Sequence, residues 1–244
     1  MLDIPRPFFD LRAFAADAAA QGGAEGDASQ DPYLGRRHFL HLDDGPVTAG
    51  TISLPAGAGS VPAIEGDEFV IVLDGEVSFG DDFTLRANES AVIPAGLAFS
   101  WSAPGPATLV FMHYRIAASA PETRPAPVAI DEAVFLEPSG PPLAELLIGP
   151  TPSCRSHTDF TSTDGAFLCG TWDSTPYHRR PMLYRHHELM HLLEGSVTFE
   201  DEGGSHGTFG KGDIFIVRRG ARCSWESRVQ VKKVFAIYRP AAQD

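Results

Sequence analysis

Short apolar runs alternate with turn-forming residues along most of this chain, and the same order of runs occurs twice. Each series contains an apolar run that one glycine interrupts, at 68–80 and 188–200, followed by alternating apolar and polar residues. Each series closes on a run rich in β-branched and aromatic residues, at 108–116 and 233–240. With 24 glycines and 20 prolines available for turns, the pattern predicts many short strands rather than long helices.

The two series align residue by residue, which indicates an internal duplication. Glu68 aligns with Glu188, and Gly75 aligns with Gly195 at the same spacing. Beyond the next turn the spacing grows by four residues and then stays constant to the closing run. The pairs that match in this second part include Gly96 with Gly220, Ser100-Trp101 with Ser224-Trp225, and Tyr114-Arg115 with Tyr238-Arg239. One shift inside a turn is what an insertion in a loop produces, so the chain is read as a tandem duplication.

Changes in composition divide the chain into four segments. Residues 1–30 are rich in Ala and Gly, and we expect a flexible leader there, in which a short helix around 9–20 is able to form. Residues 31–116 hold the first repeat, residues 117–130 have the Ala, Pro and Ser content of an extended linker, and residues 131–244 hold the second repeat. Short strands with a turn every 8–12 residues or so are typical of a sandwich or small barrel.

Charge and the length of the apolar runs exclude several classes of partner. The net charge of −13, from 19 Lys and Arg against 32 Asp and Glu, predicts no nucleic-acid partner and no anionic lipid surface. No run approaches the roughly 18 apolar residues of a membrane span, so no membrane partner is expected. The N-terminus lacks a basic stretch followed by an apolar run, and the three cysteines are too widely spaced for a disulfide framework. These features predict a cytoplasmic protein.

Two motifs in each repeat are similar to motifs of the cupin superfamily. The first motif ends in Glu, six residues and Gly, which Glu68 with Gly75 and Glu188 with Gly195 match. The second contains Gly-Asp, an apolar strand and Pro-x-Gly, and residues 212–220 resemble most of it, while Pro94-Ala95-Gly96 matches its end. The first repeat resembles a more diverged copy of the cupin domain, whereas the second resembles the family more fully. The resemblance implies an all-β fold of tandem double-stranded β-helix (jelly-roll) barrels, an RmlC-like bicupin, and such barrels enclose a ligand pocket.

The second repeat resembles the ureidoglycine aminohydrolase-like cupin family over roughly residues 160–239. The resemblance rests on GTWDSTP (170–176), the spacing from Tyr184 to Glu188, GDIFIVRRG (212–220), and Trp225 followed by Lys232-Lys233. It implies a metal-dependent hydrolysis that releases ammonia from a ureide, in which a metal polarises the substrate and a carboxylate moves protons.

Metal-binding cupins take their ligands from a His-x-His pair, the Glu of the first motif and a His after Pro-x-Gly. In the first repeat these positions hold Pro62, Ile64, Glu68 and Phe99, so we expect no metal there. In the second repeat they hold Met182, Tyr184, Glu188 and Cys223. A thioether, a phenol, a carboxylate and a thiol are not a familiar ligand set for zinc, manganese or iron.

A second arrangement keeps the metal hypothesis open. A local slip of the strand would gather His186, Glu188 and Cys223 around a divalent ion (Mn, Fe, Zn or Ni) in the C-terminal barrel only. The competing interpretation places His186 and His187 in a polar turn before the strand.

The segment HELMH (187–191) has the spacing of a zinc-protease motif but not its context. That motif requires a helix, on which positions i and i+4 share one face. The segment runs into a strand pattern, and on a strand Glu188 points away from both His187 and His191. The sequence therefore predicts a strand here and no protease.

Glu188 is the main candidate for a ligand site, because a carboxylate inside a barrel is costly unless it is paired or used. Its counterpart Glu68 has apolar neighbours, which favour a structural role. Lys233, whose counterpart is Leu109, pairs with Glu188 if it faces inward. The candidate ligand-binding residues are Glu188, Tyr184, His186, Cys223, Lys233 and Trp172.

The function expected from these residues is binding of a small polar metabolite in the C-terminal barrel, with or without a metal. The alternative is a metal-dependent cupin enzyme, similar to an aminohydrolase, that acts on a ureide or a related small amide. No catalytic residue is assigned. Besides the small-molecule ligand, the expected partner is a second copy of the chain in a homodimer, since unpaired sheet edges and faces invite association.

Overall fold

The structure is a computed structural model, and it divides the chain into two compact units. It describes residues 7–22, 24, 26, 30–42, 45–115 and 126–239. The first unit comprises Leu11–Ile130 and Phe160–Phe167; the second comprises Asp131–Asp159 and, among the described residues, 7–10 and 168–239. We call them the first and the second barrel, after the repeat that each contains.

Strands make up most of the described residues, and the helices are short. The elements up to the middle of the chain are β1 (Phe8–Asp10), α1 (Leu11–Gln21), α2 (Pro32–Gly35), β2 (Arg37–Leu40), β3 (Val47–Leu54), β4 (Gly57–Val61), β5 (Asp67–Asp74), β6 (Glu76–Phe79), β7 (Phe83–Arg86), β8 (Ser90–Ile93), β9 (Phe99–Ala103), β10 (Ala107–Tyr114) and β11 (Val128–Ala129). The later elements are β12 (Glu137–Ser139), a 3-10 turn (Ala144–Leu146), β13 (Cys154–Thr161), β14 (Phe167–Ser174), β15 (Tyr177–Leu183), β16 (His187–Glu194), β17 (Ser196–Glu200), β18 (His206–Gly210), β19 (Ile214–Val217), β20 (Arg222–Ser227) and β21 (Val231–Tyr238).

The first barrel consists of two antiparallel sheets around one apolar core. The larger sheet has the order β11-β8-β5-β10-β3-β2, and the smaller has the order β4-β9-β6-β7. Both sheets contribute to the core, for example Val70 and Phe111 from the larger sheet and Phe79 and Trp101 from the smaller. Alternate side chains along each strand point to this core, as the alternation in the sequence predicts.

The second barrel repeats this plan. Its larger sheet has the order β1-β19-β16-β21-β14-β13-β12, and its smaller sheet has the order β15-β20-β17-β18. The four central strands of the larger sheet, β19-β16-β21-β14, correspond to β8-β5-β10-β3 of the first barrel. The same order in both sheets confirms the all-β, tandem jelly-roll fold.

The glycine that ends the central strand has the same conformation in both barrels. Gly75 has φ 85° and Gly195 has φ 77°, in the left-handed region that favours glycine. A Cβ on Gly75 would lie 2.7 Å from the carbonyl oxygen of Pro106, and one on Gly195 would collide with the carbonyl of Gln230. The repeated Glu-to-Gly spacing therefore marks a real structural requirement, a tight turn under a neighbouring backbone.

The described part of the predicted flexible leader contains a strand and a helix. Leu11–Gln21 forms α1, whose Leu11, Ala15 and Ala18 are buried, and this confirms the short helix predicted around 9–20. Phe8–Asp10 forms β1, which pairs antiparallel with β19 of the second barrel, with Phe8 opposite Val217. The strand was not predicted because three residues have no periodicity of their own and depend on a partner strand far along the chain. Residues 1–6, 23, 25 and 27–29 of the predicted leader lie outside the described residues.

The predicted linker is described only in part. Residues 117–125 lie outside the described residues. Val128–Ala129, which the sequence assigns to the linker, instead forms β11 and pairs with Val92 and Ala91 of β8. Two residues are too few to give a strand pattern, so only the exposed edge of β8 decides this pairing. Among the described residues, no helix is long and apolar enough to cross a membrane.

Candidate functional site

Both barrels place a buried glutamate at the same point of their central strand. Glu68 lies on β5 between β8 and β10, and Glu188 lies on β16 between β19 and β21. The Glu68 side chain is fully enclosed, whereas the Glu188 side chain is 9% exposed. A carboxylate in such a place requires partners, and the partners differ between the two barrels.

In the first barrel a guanidinium and a phenol hold the carboxylate. Arg37 Nη1 lies 2.7 Å from Glu68 Oε2 and Nη2 lies 2.9 Å from Oε1, so the ion pair is bidentate. The hydroxyl of Tyr33 donates to Glu68 Oε1 at 2.7 Å. His113 Nδ1 lies 3.3 Å from Oε2. Every side of this carboxylate therefore faces a donor from the chain itself.

Electrostatics keep Glu68 ionised and Tyr33 neutral near neutral pH. Burial alone would raise the pKa of Glu68, but the charge of Arg37 and the hydrogen bonds from His113 and Arg37 hold that pKa well below its ordinary value. Burial and the neighbouring Glu68 carboxylate raise the pKa of Tyr33 well above its ordinary value. The result is a neutral phenol that donates to an ionised carboxylate.

Asp31 fixes the segment that carries Tyr33. Its Oδ1 accepts the Tyr33 backbone N–H at 2.9 Å and the Trp101 indole N–H at 2.7 Å, and its Oδ2 accepts the Ser60 N–H at 3.0 Å. The Tyr33 ring is completely buried and packs edge-on against Phe99, with centroids 5.1 Å apart. The chain thus fills the space beside Glu68 with its own tyrosine.

In the second barrel the carboxylate pairs with a lysine from the closing strand. Lys233 Nζ donates to Glu188 Oε1 at 2.7 Å, and His186 Nε2 lies 3.2 Å from Oε2. Burial would raise the pKa of Glu188, yet the charge of Lys233 and the hydrogen bond from His186 hold that pKa well below its ordinary value. The side chain of Lys233 therefore faces the interior of the barrel, the orientation in which the sequence predicts a pair with Glu188.

The ammonium of Lys233 lies among aromatic faces and a thioether. Nζ is 4.9 Å from the ring centroid of Trp172 and 5.1 Å from that of Trp225, within the range of a cation–π interaction. It also lies 3.2 Å from the sulfur of Met190. Trp172 is partly exposed and Trp225 is buried, so the aromatic wall extends from the interior towards solvent.

The imidazole that contacts the glutamate comes from a strand in the first barrel and from the bend before β16 in the second. In the first barrel, His113 lies opposite Glu68 on β10. A Cβ on Gly66 would lie 2.8 Å from His113 Nε2, so glycine makes room for that ring. In the second barrel the residue two before the glutamate is His186 itself, and Ile237 lies opposite Glu188. The duplication keeps a carboxylate–imidazole contact while changing the residue that supplies it.

A buried arginine forms the other end of the site in the second barrel. Arg179 Nη2 donates to the Tyr184 hydroxyl at 2.7 Å, and Nη1 donates to the Cys223 carbonyl at 2.8 Å and the Arg180 carbonyl at 3.2 Å. The Tyr184 and His186 rings lie 5.4 Å apart, centroid to centroid. Side-chain contacts therefore run from Arg179 through Tyr184 and His186 to Glu188.

Cys223 contributes its backbone rather than its thiol. Its side chain is fully buried. Burial raises the pKa of the thiol to about 12, so the group is a protonated thiol at neutral pH. A nucleophile or a thiolate ligand needs the opposite shift. Burial also raises the pKa of Tyr184, whose hydroxyl stays protonated.

The residues of the second barrel do not fit a metal of the cupin type. Among the described residues, no group of three His, Cys, Asp or Glu side chains is arranged to hold a metal ion. An ion at Glu188 would lie beside the buried ammonium of Lys233, whose positive charge repels a cation. Of the predicted set of His186, Glu188 and Cys223, the structure brings only the first two into direct contact.

The structure gathers most of the predicted ligand-binding residues. Glu188, His186 and Lys233 form one cluster under Trp172, and Tyr184 joins it through His186. The segment from His187 is strand β16, as the sequence predicts, and not the helix of a zinc protease.

Sequence reasoning missed three functional side chains. In the first barrel these are Tyr33 and Arg37, which lie before the first aligned strand and match no repeat position. In the second barrel it is Arg179, which precedes the equally polar Arg180. No local pattern distinguishes the buried arginine from its exposed neighbour, because the bulge between Arg179 and Met182 interrupts the alternation of β15.

Comparison with known proteins places this architecture among cupins. The family model of the EutQ-like cupin domain matches residues 161–235. A crystal structure of a protein of unknown function of the DUF861 family, from Pseudomonas syringae pv. tomato, is 31% identical with TM-score 0.82; the match covers 95% of this chain and all of that one. Among curated proteins, no sequence matches this chain.

More distant structures share the fold alone. A cupin 2 conserved barrel domain protein from Leptotrichia buccalis is 12% identical with TM-score 0.58, over 83% of this chain and 88% of that one. A salicylate 1,2-dioxygenase from Pseudaminobacter salicylatoxidans is 12% identical with TM-score 0.54, over 98% of this chain and 87% of that one. Identity this low carries no statement about activity.

Proposed function

This chain belongs to the DUF861 family of cupin-fold proteins, and from that premise we propose that it is a bicupin whose second barrel binds a small polar metabolite without a metal. The observation that carries the proposal is the Glu188–Lys233 pair. Two opposite charges lie inside the barrel beside His186 and a partly exposed Trp172, and both keep a little exposure, 9% and 8% of their side chains.

The pair offers a small ligand both kinds of polar contact. The Glu188 carboxylate accepts hydrogen bonds, and the Lys233 ammonium donates them. Trp172, Tyr177 and Met182 are partly buried apolar side chains packed against the same core, which suits a site that excludes water around a polar centre. In the first barrel the corresponding carboxylate is enclosed by Tyr33 and Arg37, which supports placing the ligand in the second barrel only.

The alternative, a metal-dependent aminohydrolase, has less support from the site. The resemblance implies ligands at positions that Met182, Tyr184, Glu188 and Cys223 occupy, and these side chains do not fit a metal for the reasons given above. Elemental analysis of untagged protein, together with an assay for ammonia release from ureides, separates the two functions. Stoichiometric metal with ammonia release would replace our proposal by the enzyme.

Binding is tested by the change in melting temperature that small polar metabolites cause in the full chain. A ligand that binds only the folded state raises the midpoint, and the rise grows with the logarithm of the ratio of ligand concentration to Kd. We expect active compounds to lose their effect in Glu188→Gln and to keep it in Glu68→Gln. Because a buried variant can unfold, His186→Gln serves as a second variant that leaves the Glu188–Lys233 pair intact. Compounds that act equally on wild type, Glu188→Gln and His186→Gln would contradict the site.

A homodimer is part of the same proposal, supported by the unpaired edges that open sheets present. Sedimentation velocity of the full chain measures its oligomeric state. A single monomeric species would contradict the homodimer and would leave the proposed ligand site unaffected.

A further inference from the structure

Arg179 is a buried cation without an anion. The residue is 4% exposed, and its partners among the described residues are the Tyr184 hydroxyl, two backbone carbonyls and the face of the Tyr184 ring, 5.3 Å from the guanidinium carbon. Among the described residues it forms no ion pair with a carboxylate. A guanidinium remains charged in proteins, and burying it beside neutral acceptors alone is costly.

The two barrels differ in how their buried arginines are paired. In the first barrel the buried cation Arg37 faces the buried anion Glu68, and the charges cancel. In the second barrel Lys233 already cancels Glu188, so the charge of Arg179 is left over. The neighbouring Tyr184 and Cys223 do not supply an anion, because burial raises the pKa of both groups. Arg179 therefore has no carboxylate partner of its own among the described residues.

The first barrel shows what occupies the corresponding place. Arg179 pairs with Trp225 on the neighbouring strand, and in the first barrel Gly59 pairs with Trp101 in the same way. A Cβ on Gly59 would collide with the carboxylate of Asp31. The first barrel therefore holds a carboxylate of its own chain where the second barrel holds an arginine.

The indole N–H groups of Trp101 and Trp225 differ in the same way between the two barrels. The N–H of Trp101 donates to the Asp31 carboxylate at 2.7 Å. The N–H of Trp225 reaches only the hydroxyl of Ser227, at 3.3 Å. The first barrel supplies its own anion at this place, whereas in the second barrel no carboxylate of the described residues bonds Arg179 or the Trp225 indole.

We propose that the molecule bound in the second barrel carries a single carboxylate, which Arg179 binds. The inference rests on the proposed function and adds the chemical class of the ligand and a residue that selects it. The single charge of Arg179 matches a monoanion better than a phosphate dianion. Both N–H groups of Nη1 and one of Nη2 already bond the chain, so the remaining donors, Nε–H and the second Nη2–H, form the edge that suits a carboxylate. The rest of the ligand extends past Tyr184 and His186 towards Glu188 and Lys233.

Matched probes test the charge. Benzoate and benzamide have the same shape and differ in charge, as do acetate and acetamide, and phenyl phosphate adds a dianion. Titrations of the full chain, followed by calorimetry and by NMR of the probe, measure each affinity. We expect the carboxylates to bind, and both the amides and phenyl phosphate to bind at least about 10-fold more weakly, since hydrogen bonds to a charged group contribute about 1.5–3 kcal/mol.

Variants test the residue. Arg179→Gln should weaken carboxylate binding by about 10-fold or more and remove the preference over amides, while Arg179→Lys should keep part of it. Arg180→Gln, which changes the exposed neighbour, is the matched control and should leave the affinities unchanged. If Arg179→Gln fails to fold, the wild-type preference for carboxylate over amide and Arg179→Lys still decide the question.

Each other outcome overturns the inference in a distinguishable way. Amides that bind as well as carboxylates, with binding lost in Glu188→Gln, would remove the charge selection and leave the proposed function standing. A preference for phenyl phosphate would replace the carboxylate by a dianion. Carboxylate binding that Arg179→Gln does not change would place the anion elsewhere. If neither carboxylate nor amide binds, the inference fails together with the proposed function.

Discussion

The two barrels hold the same glutamate in two different ways. Glu68 is enclosed by Arg37 and Tyr33, which lie at the start of the first repeat, before its aligned residues, and fill the barrel. Glu188 is paired with Lys233 from the closing strand of its own barrel, and no tyrosine of a preceding segment contacts it among the described residues. The glutamate has the same position on the central strand of both barrels. Its counter-ion comes from a different element in each, β2 in the first barrel and β21 in the second.

We interpret this difference as a structural role for Glu68 and, under the proposed function, a binding role for Glu188. A charge that the chain neutralises and covers completely has no contacts left for a ligand. A charge pair near an aromatic wall, with a second cation at Arg179 that no carboxylate balances, retains such contacts. Duplication thus gives one barrel that is filled from within and one whose polar interior is suited to a ligand.

The largest expected effect comes from removing the cation in the filled barrel. Arg37→Met leaves the enclosed Glu68 with only Tyr33 and His113, and we expect a loss of about 3–5 kcal/mol in the free energy of unfolding. Lys233→Met should cost less, because Glu188 keeps His186 and some access to water. Urea unfolding of both variants measures the two losses. Equal losses would mean that the two pairs have the same role.

Acid should destabilise both barrels by the next largest amount. The pKa values of Glu68 and Glu188 are held below the ordinary value of about 4.3 that they recover on unfolding, so the unfolded chain binds more protons in acid. Their contribution is complete above about pH 4.3 and is lost as the pH falls towards the lowered folded values, at a cost of a few kcal/mol. Melting temperatures across this range measure it.

Glu188→Gln provides the control for the acid effect. It should lower stability near neutral pH and flatten the dependence below about pH 4, since one of the two groups no longer titrates. A variant with the full acid dependence of the wild type would show that Glu188 does not contribute.

Removing one hydroxyl from the filled barrel should have an intermediate effect. Tyr33→Phe deletes a donor to the ionised Glu68, and we expect a loss of about 1.5–3 kcal/mol. Tyr177→Phe is the matched control in the second barrel, because its ring stacks on Trp225 with or without the hydroxyl, and it should change stability by less than about 0.5 kcal/mol. The urea midpoints of both variants show whether Tyr33 stabilises the first barrel through its hydroxyl as well as through the packing of its ring.

The smallest change in stability is expected at Arg179. Arg179→Met removes a buried charge that no carboxylate balances, so the lost hydrogen bonds are offset by the desolvation that is avoided, and the net change should stay within about 1 kcal/mol. The contrast with Arg37→Met, measured without ligand, is the sharpest comparison between the barrels. A loss as large as that of Arg37→Met would make Arg179 a structural residue and weigh against its role towards a ligand.

The strand pattern and the repeat were predictable because they depend on local alternation and on turns. The central strands from Glu68 and Glu188 and the glycine turns that follow them lie where the sequence predicts. The strand of Phe8–Asp10 and the tyrosine of the segment at 32–35 were not predictable, since neither has a period of its own and each depends on a partner distant in the chain.

The candidate site follows the same division. The sequence pointed to Glu188, His186, Lys233 and Trp172 because they differ from their counterparts or face inward by alternation. It did not point to Arg179, which a bulge turns into the barrel while Arg180 stays outside.

By itself, the sequence determined the two jelly-roll repeats, the glutamate of the central strand and the absence of a familiar cupin metal set, because residue type and spacing carry these properties. Only the tertiary structure decided which cation pairs with each glutamate, that Tyr33 fills the first barrel, and that Arg179 is buried without an anion. Those outcomes depend on contacts between segments far apart in the chain, and burial, which sets the energy of every charge involved, exists only in the folded state.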